Sequence, residues 1–256
     1  MTNINSIIKE KCEKSLLFFT RYIFKENTGN KFEAAKFHYT LADTLERVHN
    51  GEIKRLIINI PPRYGKTEIA VKMFIAWTLA KDPKSKFIHL SYSDSLALDN
   101  SSMTKEYINS DSFQNLWNID LKKDSQSQKK WYTKQGGGVY ATASGGAITG
   151  FGAGTGGAII IDDPLKPDDA LSDVRRSFIN NRYNTTIRSR VNDRDVPIIV
   201  IMQRLHEDDL SGFLLNGGSG EQWHHLKLAA LDDENKPLWP EKHSFDELEA
   251  IRQADR

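Results

Sequence analysis

The chain has 256 residues, 39% hydrophobic and 27% charged, with a formal net charge of +1. This is enough to bury a sizeable core, and it excludes nucleic-acid binding by bulk charge, so any such contact must come from local patches. The single cysteine, Cys12, excludes an intrachain disulfide and a cysteine-based zinc site within these residues. Apolar runs fall far short of the roughly 20 residues that span a bilayer, and the N-terminus lacks a signal-peptide layout. A cytosolic protein without membrane contact is expected.

Residues 4–24 place apolar and charged groups at helical spacing, with a break at "KENTGNK". Residues 34–50 read as an amphipathic helix with Phe37, Leu41, Leu45 and Val48 on one face, followed by Gly51 as a C-cap. "RLIINI" (55–60) is a β-branched run of the kind a buried strand needs. The stretch 67–83 reads as a helix ended by Pro83, apolar on most sides and so enclosed by its neighbours. Further buried strands are expected at 86–93, 157–163, 196–203 and 224–231, with helices at 94–109, 169–183 and 207–215. Strands alternating with helices indicate an α/β fold with a mostly parallel sheet flanked by helices, whose ligands sit at the carboxyl ends of the strands.

Two motifs follow such strands. "NIPPRYGKTE" carries Gly65-Lys66-Thr67, the end of a phosphate-binding loop, but Ile60 stands where that pattern has its first glycine. Pro61 and Pro62 have no N–H, so donors to an anion must come from Arg63 through Thr67 at the start of a helix. Lys66 would reach the β- and γ-phosphates and the Thr67 hydroxyl would bind Mg²⁺; a proline turn that happens to contain Gly-Lys-Thr is the competing reading. "AIIIDDP" ends a strand in Asp162 and Asp163, the layout of a second nucleotide motif whose first carboxylate serves Mg²⁺. Alone, it also reads as a strand stopped by Pro164.

Gly152-x-Gly154-x-x-Gly157 has the spacing of a dinucleotide fingerprint but leads into a strand instead of leaving one, so that reading is rejected. Ten of the chain's 17 glycines lie in 136–157, which reads as a loop or irregular hairpin beside the nucleotide. The acids of "RLHEDDL" (204–210) read as charges at a helix N-terminus.

"GEIKRLIINIPPRYGKTE", "SYSDSLA", "GGGVYATASGGAITGFGAG", "IIIDDPLKP", "VIMQRLHEDDL" and "PLWPEKHSFDELEAIR" occur in the order found in large terminase subunits of tailed viruses, and across nearly the whole chain the sequence resembles that family. The resemblance implies an ASCE-type P-loop NTPase with a three-layer fold, an ATPase that drives double-stranded DNA into capsids, ATP and Mg²⁺ as cofactors, and the host cytoplasm as location. It implies portal protein and small terminase subunit as partners, with a homo-oligomeric ring on the portal and a monomer in isolation. It also accounts for the entry to the loop, since family members commonly have Pro-Pro-Arg before Gly-Lys.

Residue by residue, the resemblance makes Lys66, Arg63 and Asp163 catalytic, with Arg63 sensing the γ-phosphate in cis. Pro62, Arg63, Tyr64, Gly65, Lys66, Thr67 and Glu68 would form the ATP-binding loop, and Thr67 and Asp162 the Mg²⁺ residues. Asp163 stands where many members have glutamate, one methylene longer. Gln203 and Arg204 match a coupling motif, and Arg190, or its neighbour Arg188, an arginine acting in trans. Phe37 and His38, with Tyr39, are candidates for adenine contact, against a reading of Phe37 as core and His38 as surface. The expected organisation is a helical lead-in over 1–52, an ATPase core over 53–231, and a linker over 232–256 towards a nuclease domain absent from these residues.

Residues 175–194 hold six arginines and one acid, and Lys122, Lys123, Lys129, Lys130 and Lys134 lie beside Trp131 and Tyr132. Either cluster could contact phosphate backbones or be a solvated face. The alternatives to a packaging motor are a helicase-like ATPase on single strands, which would need a series of stacking aromatics, and a nucleotide-gated binding module without turnover, favoured by aspartate at 163.

Overall fold

The computed structural model describes residues 4–148 and 150–254; the first three residues of the expected lead-in and the last two of the expected linker lie outside the described residues. Three helices come first, α1 (Ile4–Lys14), α2 (Leu16–Thr28) and α3 (Lys36–His49). The periodicity over 4–24 is split at Ser15, whose hydroxyl accepts from the N–H of Phe18 and caps α2; α2 then runs on to Gly29, in left-handed conformation at φ 72°. The pattern of apolar residues continues smoothly across Ser15, so only the cap marks the joint.

Then come β1 (Arg55–Asn59), a π-helical stretch over Glu68–Met73 that runs into α4 (Phe74–Lys81), β2 (Lys86–Ser91), α5 (Asp94–Asn109) and α6 (Asp111–Trp117). The strands β3 (Leu121–Gln126), β4 (Lys130–Thr133), β5 (Gly138–Ala143) and β6 (Ile159–Asp162) follow, then α7 (Asp173–Arg182), β7 (Ile198–Met202), α8 (Leu210–Leu215), β8 (His224–Lys227) and α9 (Phe245–Ala254).

The eight strands form one sheet in the order β3-β4-β5-β2-β6-β7-β1-β8. All neighbours from β5 to β8 pair in parallel, and β3 and β4 add an antiparallel edge. The strand carrying the Gly-Lys-Thr loop and the strand carrying the acidic pair are separated by β7 alone. Alternate side chains enter two cores. Leu56, Ile58, Phe87, Ile160, Ile199 and Ile201 face the layer built from α1 to α4. Ile57, Ile88, Ile159, Ile161, Ile198 and Val200 face the layer of Ile179, Tyr183, Leu210 and Leu214 from α7, its extension and α8. Burial on both faces is why these strands read as unbroken β-branched runs.

The glycine-rich stretch departs from expectation. Gly138–Ala143 is a fully paired parallel strand beside β2, and Lys130–Thr133 is its antiparallel neighbour, so among the described residues the irregular parts are the turn at 136–137 and the segments 144–148 and 150–157. Nor does that stretch lie wholly beside the nucleotide edge: Gly154 pairs with Lys86, the first residue of β2, at the amino ends of the strands. The fingerprint-like glycines serve close packing there. A Cβ on Gly157 would stand 2.0 Å from the carbonyl oxygen of Lys86, and one on Gly152 2.1 Å from Asn192 Oδ1.

Candidate nucleotide site

Asn59, Asp162 and Met202 end their parallel strands on one edge of the sheet, which sets the loops after them side by side. After β1 the chain turns through Pro61 and Pro62; Arg63 and Gly65 take left-handed conformations, at φ 63° and 75°, and Lys66 opens the helix. Gly65 is needed twice over, since a Cβ there would also stand 3.1 Å from His38 Nε2.

Two contacts join the loops. Lys66 Nζ lies 2.8 and 2.6 Å from the two carboxylate oxygens of Asp163, and the Thr67 hydroxyl donates to Asp162 Oδ2 at 2.8 Å. Lys66 and Asp162 are buried, and Asp162 Oδ1 has no hydrogen-bond partner. Burial, reinforced by the neighbouring charge of Asp163, pushes the Asp162 carboxyl well above the usual carboxylate range, against the pull of Lys66. Asp163 has φ 43°, a conformation that aspartate adopts more readily than glutamate, which is a physical reason for the shorter acid at this position.

The adenine candidates sit elsewhere. His38 is fully buried: Nδ1 accepts from the N–H of Ala35 at 2.9 Å and Nε2 donates to the Tyr64 carbonyl at 3.2 Å. Phe37 is buried against Tyr64 and Trp239. Neither offers a free face to a base; both support the loop from beneath, and the reading of His38 as a surface residue is likewise corrected. Tyr39 is exposed. Tyr64 also turns its ring inward, against Trp239 and His243, so only its backbone borders the site. Glu68 accepts from Lys72 Nζ and from the Tyr107 hydroxyl, both at 2.7 Å, and is thereby turned towards α5, away from the site. Arg63 is exposed, and its carbonyl accepts from Lys242 Nζ.

Gln203 and Arg204 lie on the loop after β7. The backbone N–H of Gln203 donates weakly to Asp163 Oδ1 at 3.4 Å. Arg204 pairs with Asp209 at 3.1 Å and does not pair with the acid side chains of Glu207 or Asp208. Asp209 is fully buried, accepts also from the N–H groups of Leu205, His206 and Gly212, and caps α8, so the helix starts at Leu210 and the two preceding acids stand outside it. Arg188 donates to the Ser219 carbonyl, and the Arg190 carbonyl accepts from Ala153. Arg190 thus lies by the amino end of β2, where Ala153 and Gly154 pack, at the opposite end of the strands from the Gly-Lys-Thr loop.

Two supports of the site were missed from sequence. Asn59 donates to the Met202 carbonyl and the Ser211 hydroxyl and lies 2.8 Å from His225 Nε2, tying β1, β7, α8 and β8 together just before the loop. Trp239 and Lys242 return from far along the chain to pack on the loop, with Lys242 Nζ 5.3 Å from the Tyr64 ring and 5.1 Å from that of Trp239. A lone polar residue at a strand end could have flagged Asn59; nothing local marks the other two.

Sheet order and the helices on both faces define a three-layer α/β fold with a mostly parallel central sheet, and both motif loops leave it at the carboxyl ends of the strands. The comparisons agree at the level of fold. The crystal structure of the HK97 bacteriophage large terminase is similar to this chain with a TM-score of 0.57 at 13% identity, over 86% of this chain and 44% of that one. The chain thus spans less than half the length of that terminase. The sequence matches no protein-family model and no curated protein. Among the described residues, no helix is long and apolar enough to cross a membrane.

Proposed function

We propose that the chain is an ATP-hydrolysing motor domain of the large-terminase type, which moves double-stranded DNA into a viral capsid as part of a ring on the portal. The observation that carries this is the pairing of Lys66 with Asp163 and of Thr67 with Asp162, which brings two motifs 95 and 97 residues apart in sequence into one site.

The free, buried Asp162 Oδ1 beside the Thr67 hydroxyl fits a Mg²⁺ ion, which when bound would neutralise charge on the phosphates. Lys66 would leave Asp163 for a phosphate oxygen. Asp163, released, would accept a proton from the attacking water, the role of a general base. Free N–H groups at the start of the helix would bind the remaining phosphate oxygens. Gln203, on the loop after the neighbouring strand, would couple loss of the γ-phosphate to loop movement, a role that the contact of its backbone N–H with Asp163 supports. The test is ATP turnover with and without double-stranded DNA, against Lys66→Ala. A well-folded Lys66→Ala chain with unchanged nucleotide affinity and turnover would overturn the reading.

A second reading, a nucleotide-gated module without turnover, draws on one observation: Asp163 is held by Lys66 and is short of the usual glutamate reach. Tight ATP binding with no hydrolysis, alone or with DNA, would favour it.

A further inference from the structure

Ser91 ends β2 and opens the "SYSDSLA" segment. β2 and β6 pair in parallel, with His89 opposite Ile160 and Leu90 opposite Ile161. One residue further along, the same register brings Ser91 alongside Asp162. The strands stay joined beyond that point, because the Tyr92 N–H donates to the Asp163 carbonyl at 3.0 Å. Alternation fixes the face. Phe87 and Ile160 enter the core on the α1–α4 side, and Ile88, Leu90 and Ile161 enter the opposite one. Ser91 and Asp162 therefore share the α1–α4 side, the side from which the Thr67 hydroxyl reaches Asp162 Oδ2. From β5, the Ser144 N–H donates to the Ser91 carbonyl and holds the residue in place.

Both side chains are buried, and each keeps one oxygen unspent. Among the described residues, neither Ser91 Oγ nor Asp162 Oδ1 has a hydrogen-bond partner. A buried polar atom without a partner costs stability, so two of them side by side at the ligand edge point to something that binds both. Neighbouring strands lie about 4.8 Å apart. That is close to the span of one water bonded at about 2.8 Å to an oxygen on each side. We propose that Ser91 is a positioning residue of the Mg²⁺ site: its hydroxyl oxygen and Asp162 Oδ1 together hold one water of the ion's shell. Protein-bound Mg²⁺ keeps several of its waters. Such a water turns a lone pair to the ion and both hydrogens outward, and a carboxylate oxygen and a hydroxyl oxygen are two acceptors for them. The proposal rests on the reading of Thr67 and Asp162 as Mg²⁺ residues.

The test is Mn²⁺ binding, followed by electron paramagnetic resonance with a saturating non-hydrolysable ATP analogue, in the native, Ser91→Ala, Ser91→Thr and Asp162→Asn chains. Ser91→Ala is expected to weaken Mn²⁺ by about 10-fold, the low end for loss of an outer partner of a metal site. Affinity for the analogue without a divalent ion should not change, and Ser91→Thr should recover most of the Mn²⁺ affinity. Without ligand, Ser91→Ala should melt no lower than the native chain, since it removes a buried hydroxyl that has no partner. Native Mn²⁺ affinity in Ser91→Ala beside a loss in Asp162→Asn would overturn this proposal and leave the nucleotide site standing. A lower melting temperature together with a loss that threonine does not recover would mark a structural role and overturn it too. No Mn²⁺ binding by the native chain, or none of it lost in Asp162→Asn, would overturn the Mg²⁺ reading along with the proposal.

Discussion

Asp163 holds the Lys66 ammonium that, on the proposed reading, a nucleotide phosphate would take over. Replacing it by asparagine keeps the shape and tolerates the left-handed backbone but removes the charge that holds the ammonium. An unpaired buried cation destabilises a fold, and because Asp163 keeps some solvent access the cost should be about 2–3 kcal/mol, at or below the low end for a fully buried pair. Three outcomes are therefore expected of Asp163→Asn: a lower melting temperature without ligand, a larger rise on adding Mg-ATP than in the native chain, and turnover slower by about 10²-fold. Calorimetry and a phosphate-release assay measure all three, and a variant with native turnover would show that another group orients the water. Glu68 is not that group, because Lys72 and Tyr107 hold it. Glu68→Gln should keep most of the turnover; a collapse comparable to that of Asp163→Asn would contradict this.

At the level of elements, glycine acts by two mechanisms that one pair of substitutions separates. Gly157→Ala would drive a methyl group into the Lys86 backbone at the point where β6 joins β2. Backbone cannot step aside as a flexible side chain can, so a loss of about 2 kcal/mol or more is expected. Gly29→Ala meets nothing within 4 Å and carries only the cost of a left-handed alanine, about 1–2 kcal/mol. Denaturant melts with Gly157→Ala no worse than Gly29→Ala would show that β6 can shift away from β2. The loop after β7 is organised differently, by four donors converging on the buried carboxylate of Asp209. Asp209→Asn turns one acceptor into a donor facing donors, so it should loosen the loop that carries Gln203. If that loop couples hydrolysis to movement, the variant in a complete motor would still hydrolyse ATP but package less DNA per ATP. An unchanged ratio would separate the loop from coupling.

Over the whole molecule, acid should weaken the fold in a defined window. Burial lowers His38, His49 and His89 to about 4, from an ordinary value near 6.5. Folded, they stay neutral between those values while the unfolded chain takes up protons there, so stability falls as pH drops from about 6.5 to 4. Asp162 and Glu46 act in the opposite sense, since burial raises both and the folded form holds their protons longer. His89→Gln should remove about one proton from the net uptake and flatten the slope of unfolding free energy by about 1.4 kcal/mol per pH unit between pH 5 and 6, whatever it does to absolute stability. Denaturant melts at several pH values measure the slope, and an unaltered slope would mean that His89 titrates in the folded protein as it does unfolded.

The alternation of buried strands and helices, and the position of the Gly65-Lys66-Thr67 and Asp162-Asp163 motifs directly after strands, could be read along the chain, because each depends on near neighbours: a periodicity, or a residue type at the end of an apolar run. What lay outside such reading was whatever depends on pairing at long range. "GVYATA" is glycine-flanked and reads as loop, and only its place between β2 and β4 makes it a strand. Phe37 and His38 have the residue types for a base but face inward, because α3 packs beneath the loop they support. Local sequence cannot show that Lys66 rests on Asp163 until β7 is set between their strands, or that Trp239 comes back over the loop. Local propensity decides which element a segment forms; which side chains that element then presents to the site is settled by what packs against its other face.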